Sequence, residues 1–256
     1  MIAKRYMIFR FIILAAGKGT RMQQHVPKAL TLIGGKPILQ HLYESVKTSG
    51  VDGVPVIVVG PERPKLCDSW GGECDYVVQE QQLGTAHAVN VCRDAVNDAD
   101  ALIVLYGDHP FISPQTLRNL ADLHQKNHSV LSIMTTTVAS FDTWFIYLHW
   151  GRVVRDLQGR IQAIREYKDA TDSERMINEV NPALYCFDAV WLWKNINQIK
   201  NINANGEYYL TDLIELAVTQ GYEIASMSIP PEEAVGINTQ EEREIAETLL
   251  SQSHVI

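Results

Sequence analysis

This sequence has few of the features that mark several large protein classes. Lys and Arg together number 22 against 30 Asp and Glu, a net charge of −8, so no basic stripe supports a nucleic-acid role. No segment nears the roughly eighteen uninterrupted apolar residues that a membrane span needs, so no membrane partner is expected. The four cysteines, Cys67, Cys74, Cys92 and Cys186, make no C-x-x-C pair and have no histidines at zinc spacing. They read as buried or incidental thiols in a reducing, cytoplasmic compartment. No linker rich in Pro, Gly or Ser divides the chain and no internal repeat is present. The 256 residues therefore read as one large α/β domain able to bury a substantial core.

Two phosphate-loop signatures are also missing. The dinucleotide fingerprint needs a small residue three positions after its second glycine, and Met22 stands there instead. No Gly-Lys-Ser/Thr follows a glycine at P-loop spacing; Gly17-Lys18-Gly19 and Gly35-Lys36-Pro37 do not fit.

What is present is an apolar run, Ile8 to Leu14, feeding directly into Leu14-Ala15-Ala16-Gly17-Lys18-Gly19-Thr20-Arg21-Met22, with Pro27-Lys28 shortly after. A buried strand that ends in a small-residue loop turns backbone N–H groups outward, a cradle for phosphate oxygens. Lys18, Arg21 and Lys28 concentrate the cations that an acidic protein needs to hold a triphosphate. Lys4 and Arg5 ahead of this run superficially resemble a secretion signal, but Arg10 interrupts it and cleavage after Ala16 would destroy the loop. The run is taken as the first core strand behind a short leader, with translation starting at Met1 or Met7.

Strands and helices alternate from there. Pro37 opens a helix over 37–49 that ends at Gly50; strands are predicted at 54–59, 76–78, 101–106 and 130–137. A helix over about 85–96 follows Gly84, and Ser113-Pro114 supplies a cap and first-turn proline for another. Further on, 151–166 reads as a hairpin around Gly159, 183–187 as a strand, 195–205 as a loop and 208–220 as a helix. Thr239-Gln240-Glu241-Glu242 is a capping box opening a final helix with Ile245, Ala246, Leu249 and Leu250 inward. Strands separated by helices of this length imply βαβ crossovers in a doubly wound sheet. Ligands then sit beyond the carboxyl ends of the strands, where the 17–28 loop, the loop before Gly84 and the Gly107-Asp108 turn should converge.

Further segments extend the opening match: Gln79-Glu80-Gln81-Gln82-Leu83-Gly84-Thr85-Ala86-His87-Ala88, Tyr106-Gly107-Asp108, Gly151-Arg152, and Glu166 to Thr171. Asn181, Asn205 to Asp212 and Gly236-Ile237-Asn238 complete the set. In this order the chain resembles the sugar-1-phosphate nucleotidyltransferase family, and closely the uridylyltransferase domain of bacterial N-acetylglucosamine-1-phosphate uridylyltransferases. The resemblance implies a Rossmann-like, mixed but mainly parallel sheet with a small sugar-side β-hairpin lobe. It divides the single domain into a nucleotide-binding half over about 7–137, a sugar-binding half over about 138–238, and a helix and tail over 239–256.

By the same resemblance, Arg21 and Lys28 act on the nucleotide phosphates, and Leu14, Ala16, Gly17, Gly19 and Thr20 line the phosphate loop. Gln79, Gly84, Thr85 and Tyr106 resemble the family's nucleotide-binding positions, the glycine leaving room for the base. Asp108 and Asn238 resemble its Mg²⁺ ligands; Gly151, Glu166 and Asn181 resemble its sugar-binding positions. One carboxylate plus one neutral amide suits Mg²⁺, which keeps waters and takes further oxygens from substrate phosphates. The implied substrates are UTP and a sugar 1-phosphate, N-acetylglucosamine 1-phosphate first, joined with release of pyrophosphate. A sugar phosphate is already mostly dianionic at neutral pH, so no general base is required, and His87 and His109 read as satisfied polar residues.

Departures from the family pattern cluster on the sugar side. Asn181 is followed by Pro182-Ala183 where Thr-Gly is usual, Trp150 stands before Gly151 in place of tyrosine, and 141–149 is unusually aromatic. Ala86 replaces a frequent glycine. The alternatives left open are thymidylyl or cytidylyl transfer, another phosphorylated acceptor, and a non-catalytic nucleotide-sugar sensor. Hexapeptide repeats of a β-helix are absent, so neither acetyl transfer nor a β-helix-driven trimer is expected.

Overall fold

The computed structural model of the chain describes residues 7–17, 27–62 and 73–253. Its centre is a ten-stranded mixed sheet. Strand β1 (Phe9–Leu14) leads to a short hairpin, β2 (Leu32–Ile33) and β3 (Lys36–Pro37), then to α1 (Ile38–Ser49) and β4 (Val56–Val59). After β5 (Asp75–Val78) come α2 (Thr85–Asn90), β6 (Ala101–Tyr106), α3 (Pro114–Asn127) and β7 (Leu131–Thr137). The hairpin β8 (Arg152–Arg155) and β9 (Ile161–Arg165) is followed by α4 (Asp172–Arg175), β10 (Glu179–Val180), β11 (Tyr185–Asp188) and α5 (Ala189–Asn195). The chain closes with α6 (Asp212–Thr219), β12 (Ala225–Ser228), α7 (Pro231–Ala234) and α8 (Gln240–Ser253).

Across the sheet the order is β5-β4-β1-β6-β11-β7-β10-β8-β9, with β12 on β7. Strands β5, β4, β1 and β6 run parallel, and β11 inserts antiparallel between β6 and β7. The expected doubly wound, mainly parallel sheet is therefore observed, and β10 joins the β8–β9 hairpin to it. The chain leaves β1 toward β4 on one side and later places β6 on the other. That reversal makes the adjacent ends of β1 and β6 a topological switch point, where open α/β sheets bind ligands.

Alternation along the strands sorts the core onto two faces. Phe11, Ile13, Ile103 and Leu105 pack with Leu39, Leu42 and Val46 of α1 and Leu117 and Leu120 of α3. Ile12, Leu102 and Val104 face the other way, onto Val89, Leu192, Leu213 and Ile214. Helix α8 docks separately, with Ala246 against Ile33, Ile38 and Ile237 and with Leu250 alongside.

Local signals account for most boundaries. Gly50 closes α1 in the left-handed region, and Ser113 Oγ accepts from Thr116 N at 3.1 Å to cap α3. The 239–242 capping box forms as expected. Four expectations need correction. The helix over 85–96 stops at Asn90, because Cys92 N and Ala95 N bond carbonyls three residues back and tighten the coil to 3-10 over Arg93–Val96. The helix over 208–220 begins at Asp212, since Tyr208 N donates to Leu83 O and Tyr208 O accepts from Ala86 N. The strand placed at 183–187 begins at Tyr185, because Pro182 has no N–H and Ala183 has φ of +57°. Cys92 and Cys186 are free thiols but Cys74 is disulfide-bonded, a pairing that spacing alone does not reveal. Among the described residues no helix is long and apolar enough to cross a membrane.

Candidate active site

The carboxyl ends of β1 and β6 are drawn together tightly. Gly107 N donates to Leu14 O at 2.9 Å, and a side chain on Gly107 would bring a Cβ within 3.1 Å of that same oxygen. This close approach sets Asp108 at the rim of a cavity of about 660 Å³, within the range of small-molecule sites. Its walls include Leu14, Ala16, Gly17, Lys28, Gln79, Gly84, Thr85, Tyr106, Asp108 and Asn238. The crevice inferred from strand order and loop chemistry is thus a single cavity. Arg21, Gly19, Thr20 and Lys18 lie outside the described residues.

At one end of the cavity Lys28 Nζ donates to Asp108 Oδ2 at 2.5 Å and to Asn238 Oδ1 at 2.6 Å. Backbone pairing enforces the meeting of residues so distant in sequence. Ile237 N donates to Asp108 O at 3.0 Å, and the Glu242 carboxylate accepts from the N–H groups of Asn238 and Thr239. Burial opposes ionisation of Asp108, but the Lys28 ammonium outweighs it and holds the carboxyl below the usual range. Asp108 Oδ1 is buried with no hydrogen-bond partner among the described residues; His109 Nε2 lies 3.4 Å away without hydrogen-bond geometry. An orphaned carboxylate oxygen beside a second carboxylate oxygen and an amide oxygen is the all-oxygen donor set that Mg²⁺ accepts. No cluster of three or more His, Cys, Asp or Glu side chains placed to hold a metal occurs among the described residues.

The opposite wall holds the residues expected on the nucleotide side. Gln79, 4 % exposed, donates from Nε2 to Gly84 O at 3.1 Å and to His87 Nδ1 at 3.0 Å. Gly84 has φ of +120°, and a Cβ there would come within 2.6 Å of both Tyr208 N and Tyr208 O. Its smallness is required by the chain's own packing, a constraint separate from the space for a base expected above. Thr85 Oγ1 likewise accepts from Leu210 N at 2.9 Å, tying the 207–210 segment to the first turn of α2.

The sugar-side candidates also gather, beyond the residues that line the cavity. Asn181 N donates to Gly151 O at 2.9 Å, and a Cβ on Gly151 would lie 3.5 Å from Glu166 Oε1. Burial, then the charges of Asp169, Asp212 and Glu207, raise the Glu166 pKa. Thr211 Oγ1 donates to Glu166 Oε1 at 3.3 Å. Both ends of the Asn181 amide are engaged within the chain: Nδ2 donates to Tyr185 Oη at 2.6 Å and Oδ1 accepts from Ala183 N at 3.1 Å. Ala183 is held at φ of +57°, where a glycine would rest without strain. The aromatic 141–150 segment wraps Arg152, which is fully buried, bonds the carbonyls of Tyr147, Leu148, Trp150 and Arg175, and lies over the Phe141 ring at 4.5 Å.

Several residues of this site were not singled out from sequence. Glu207 and Thr211 lay inside a recognised segment, and Glu242 was visible only as a helix cap. Tyr185 carried no signal, since a tyrosine in a buried strand looks like core.

Comparison with known proteins places this geometry in context. Residues 11–183 match the MobA-like NTP transferase domain. The chain is 35% identical over 255 residues to the bifunctional protein GlmU of Clostridioides difficile (strain 630), covering 98% of this chain and 54% of that protein. It is 35% identical over 240 residues to the bifunctional protein GlmU of Desulfotalea psychrophila, covering 92% of this chain and 68% of that protein. The chain spans about half the length of most of these curated relatives. Among solved structures, a UDP-glucose pyrophosphorylase complexed with UDP-glucose superposes with a TM-score of 0.76 at 18% identity, covering 96% of this chain and all of that one. A putative glucose-1-phosphate thymidylyltransferase from Bacillus anthracis gives 0.73 at 21% identity, with 94% of each chain covered. These likenesses establish a shared fold.

Proposed function

Because this chain belongs to the MobA-like NTP transferase family and shares the nucleotidyltransferase fold, we propose that it is a Mg²⁺-dependent uridylyltransferase. It moves a uridylyl group from UTP to a sugar 1-phosphate, N-acetylglucosamine 1-phosphate before others, releasing pyrophosphate. The observation that carries this reading is the convergence of Lys28, Asp108 and Asn238 at the switch point between β1 and β6. Resemblance in ordered motifs along nearly the whole chain supports the choice of base and sugar. Solved relatives of the fold include proteins described with UDP-glucose, as a thymidylyltransferase and with CTP, so the fold itself selects none of these.

The chemistry asks little beyond placement and charge. The sugar phosphate has its second pKa near 6 and is mostly dianionic at neutral pH, so its oxygen attacks the α-phosphorus without a base. Catalysis consists of holding two anions in line and neutralising charge on the α-phosphate and the departing pyrophosphate. Asp108 and Asn238 would hold Mg²⁺, which supplies Lewis-acid neutralisation of phosphate oxygens. Lys28 offers its ammonium to the phosphates, and Arg21 serves the same end from the phosphate loop. Glu166 accepts a hydrogen bond from an acceptor hydroxyl, with Gly151 leaving room beside it and Asn181 bracing that wall. Among the described residues no nucleophilic cysteine is called for: burial pushes the Cys92 thiol up to about 12, far from a reactive thiolate.

Pyrophosphate release, measured with Mg²⁺ across a grid of nucleoside triphosphates and sugar 1-phosphates, tests the reading, with Asp108→Asn as control. The expected result is a maximum with UTP and N-acetylglucosamine 1-phosphate and loss of turnover in the variant. A maximum elsewhere on the grid moves the specificity; silence across it, with intact nucleotide binding, overturns the enzyme reading.

A further inference from the structure

Gln79 carries two donors and one acceptor on its amide, and the site decides which of them a nucleotide meets. Both side-chain contacts it makes among the described residues come from its nitrogen: 3.1 Å to Gly84 O and 3.0 Å to His87 Nδ1. The backbone carbonyl removes the ambiguity of the amide's orientation. Turned over, Oε1 would face Gly84 O with no proton between them. With nitrogen on that side, His87 Nδ1 must be the acceptor, so the imidazole proton sits on Nε2. Gln79 lines the cavity and is nearly buried, so the polar atom it has left for a ligand is Oε1, an acceptor.

We propose that His87 is the positioning residue for base selection: by engaging the second amide proton of Gln79 it keeps Oε1 as the group offered to the nucleobase. This rests on the uridylyl reading and deepens it. An acceptor suits a pyrimidine with N–H at position 3, as in uracil and thymine. Cytosine has an unprotonated nitrogen there, so two lone pairs would oppose one another. Gly84 O alone satisfies one of the two amide protons; without His87 the other is free to seek a ligand. The amide then loses half of what fixes it. Sites that hydrogen-bond a specific donor discriminate steeply because the wrong ligand leaves a buried group unpaired. His87 sits three residues beyond Gly84 in the first turn of α2, which gives the Gly84-x-x-His87 spacing a chemical purpose beyond the helix.

Calorimetric titration of UTP and of CTP, with Mg²⁺ and no sugar phosphate, reads this directly in wild type, His87→Ala and His87→Asn. Asparagine puts an amide oxygen close to where Nδ1 stands and so keeps an acceptor. Wild type should prefer UTP by roughly a hundredfold, His87→Ala should cut that ratio by about tenfold, and His87→Asn should retain most of it. An unchanged ratio in His87→Ala overturns the role of His87 while leaving the uridylyl reading in place. A loss of both nucleotides in equal proportion overturns it too, since that marks a purely structural residue. Wild type that binds CTP as tightly as UTP overturns the uridylyl reading itself, before any variant is compared.

Discussion

The Lys28 ammonium and the Asp108 carboxylate stand 2.5 Å apart, and Asn238 Oδ1 accepts from the same nitrogen at 2.6 Å. A lysine therefore occupies the space between the two oxygens best suited to a divalent cation. Cation and ammonium compete for one set of lone pairs, and charge-assisted bonds of this kind are each worth about 1.5–3 kcal/mol. Without nucleotide, nothing among the described residues rewards Lys28 for leaving. The wild-type protein should bind Mn²⁺ weakly on its own and more tightly once UTP phosphates can receive the ammonium. Lys28→Met should improve nucleotide-free Mn²⁺ binding by roughly tenfold or more while sharply reducing turnover. Electron paramagnetic resonance titration of free Mn²⁺ measures this; equal binding in both proteins would contradict the competition.

Glu166 should act on the acceptor and not on the nucleotide. Its carboxylate receives Thr211 Oγ1 at 3.3 Å and lies outside the group of residues lining the cavity of Lys28 and Asp108. Glu166→Gln keeps the size and loses the charge, and a hydrogen bond to a charged group contributes about 1.5–3 kcal/mol. The KM for the sugar 1-phosphate should rise roughly tenfold to a hundredfold, with the Kd of UTP unchanged. A change confined to UTP would remove Glu166 from the sugar side.

How much of this was legible in the sequence depended on the range of the interactions. Helix α1 and helix α3 were readable because Pro37, Gly50, Ser113 and Pro114 act on their immediate neighbours. Strand β6 was readable because every residue from Ala101 to Leu105 is buried on both faces of the sheet. Helix α5 has a local signal in Asp188, whose Oδ1 caps it through Trp191 N at 2.7 Å, but the asparagines that follow read as a loop. Two-residue strands such as β2 and β10 carry no period at all and exist through their partners. For the site, residue types and loop chemistry pointed to Lys28 and Asp108, whereas the meeting with Asn238 follows from a backbone bond between Ile237 and Asp108 that no local pattern encodes. The packing constraint on Gly84 has the same origin: its neighbour is Tyr208, far along the chain.

His124 gives the fold a defined acid sensitivity. It is fully buried in α3 with Nδ1 on Ser132 Oγ at 3.0 Å, and burial lowers its pKa to about 4 from an ordinary 6.5. Between those values the unfolded chain takes up a proton that the folded chain refuses, so stability rises with pH across the window and falls as pH drops through it. The full difference is about 3 kcal/mol at 1.36 kcal/mol per pKa unit. Denaturant unfolding from pH 7 to pH 4 should show this loss in wild type, and His124→Asn should flatten it. Parallel pH profiles in the two proteins would rule His124 out as the source.

Gly84 couples folding to the cavity wall that carries Gln79, and one methyl group tests the coupling. The residue sits at φ +120°, outside the range that side chains readily adopt, and its Cβ would press on Tyr208 N and O at 2.6 Å. Neither obstacle yields to a rotamer change, because both are backbone. Either the 83–86 turn or the 207–210 segment must move, breaking Tyr208 N to Leu83 O and Ala86 N to Tyr208 O, each 2.9 Å. Gly84→Ala should therefore cost roughly 2 kcal/mol or more and lower the thermal midpoint by several degrees. Since Gly84 O also anchors the Gln79 amide at 3.1 Å, UTP affinity should fall together with stability. Stability lost with UTP affinity intact would mean that the turn shifts without carrying Gln79, and would separate the packing role of Gly84 from the nucleotide site.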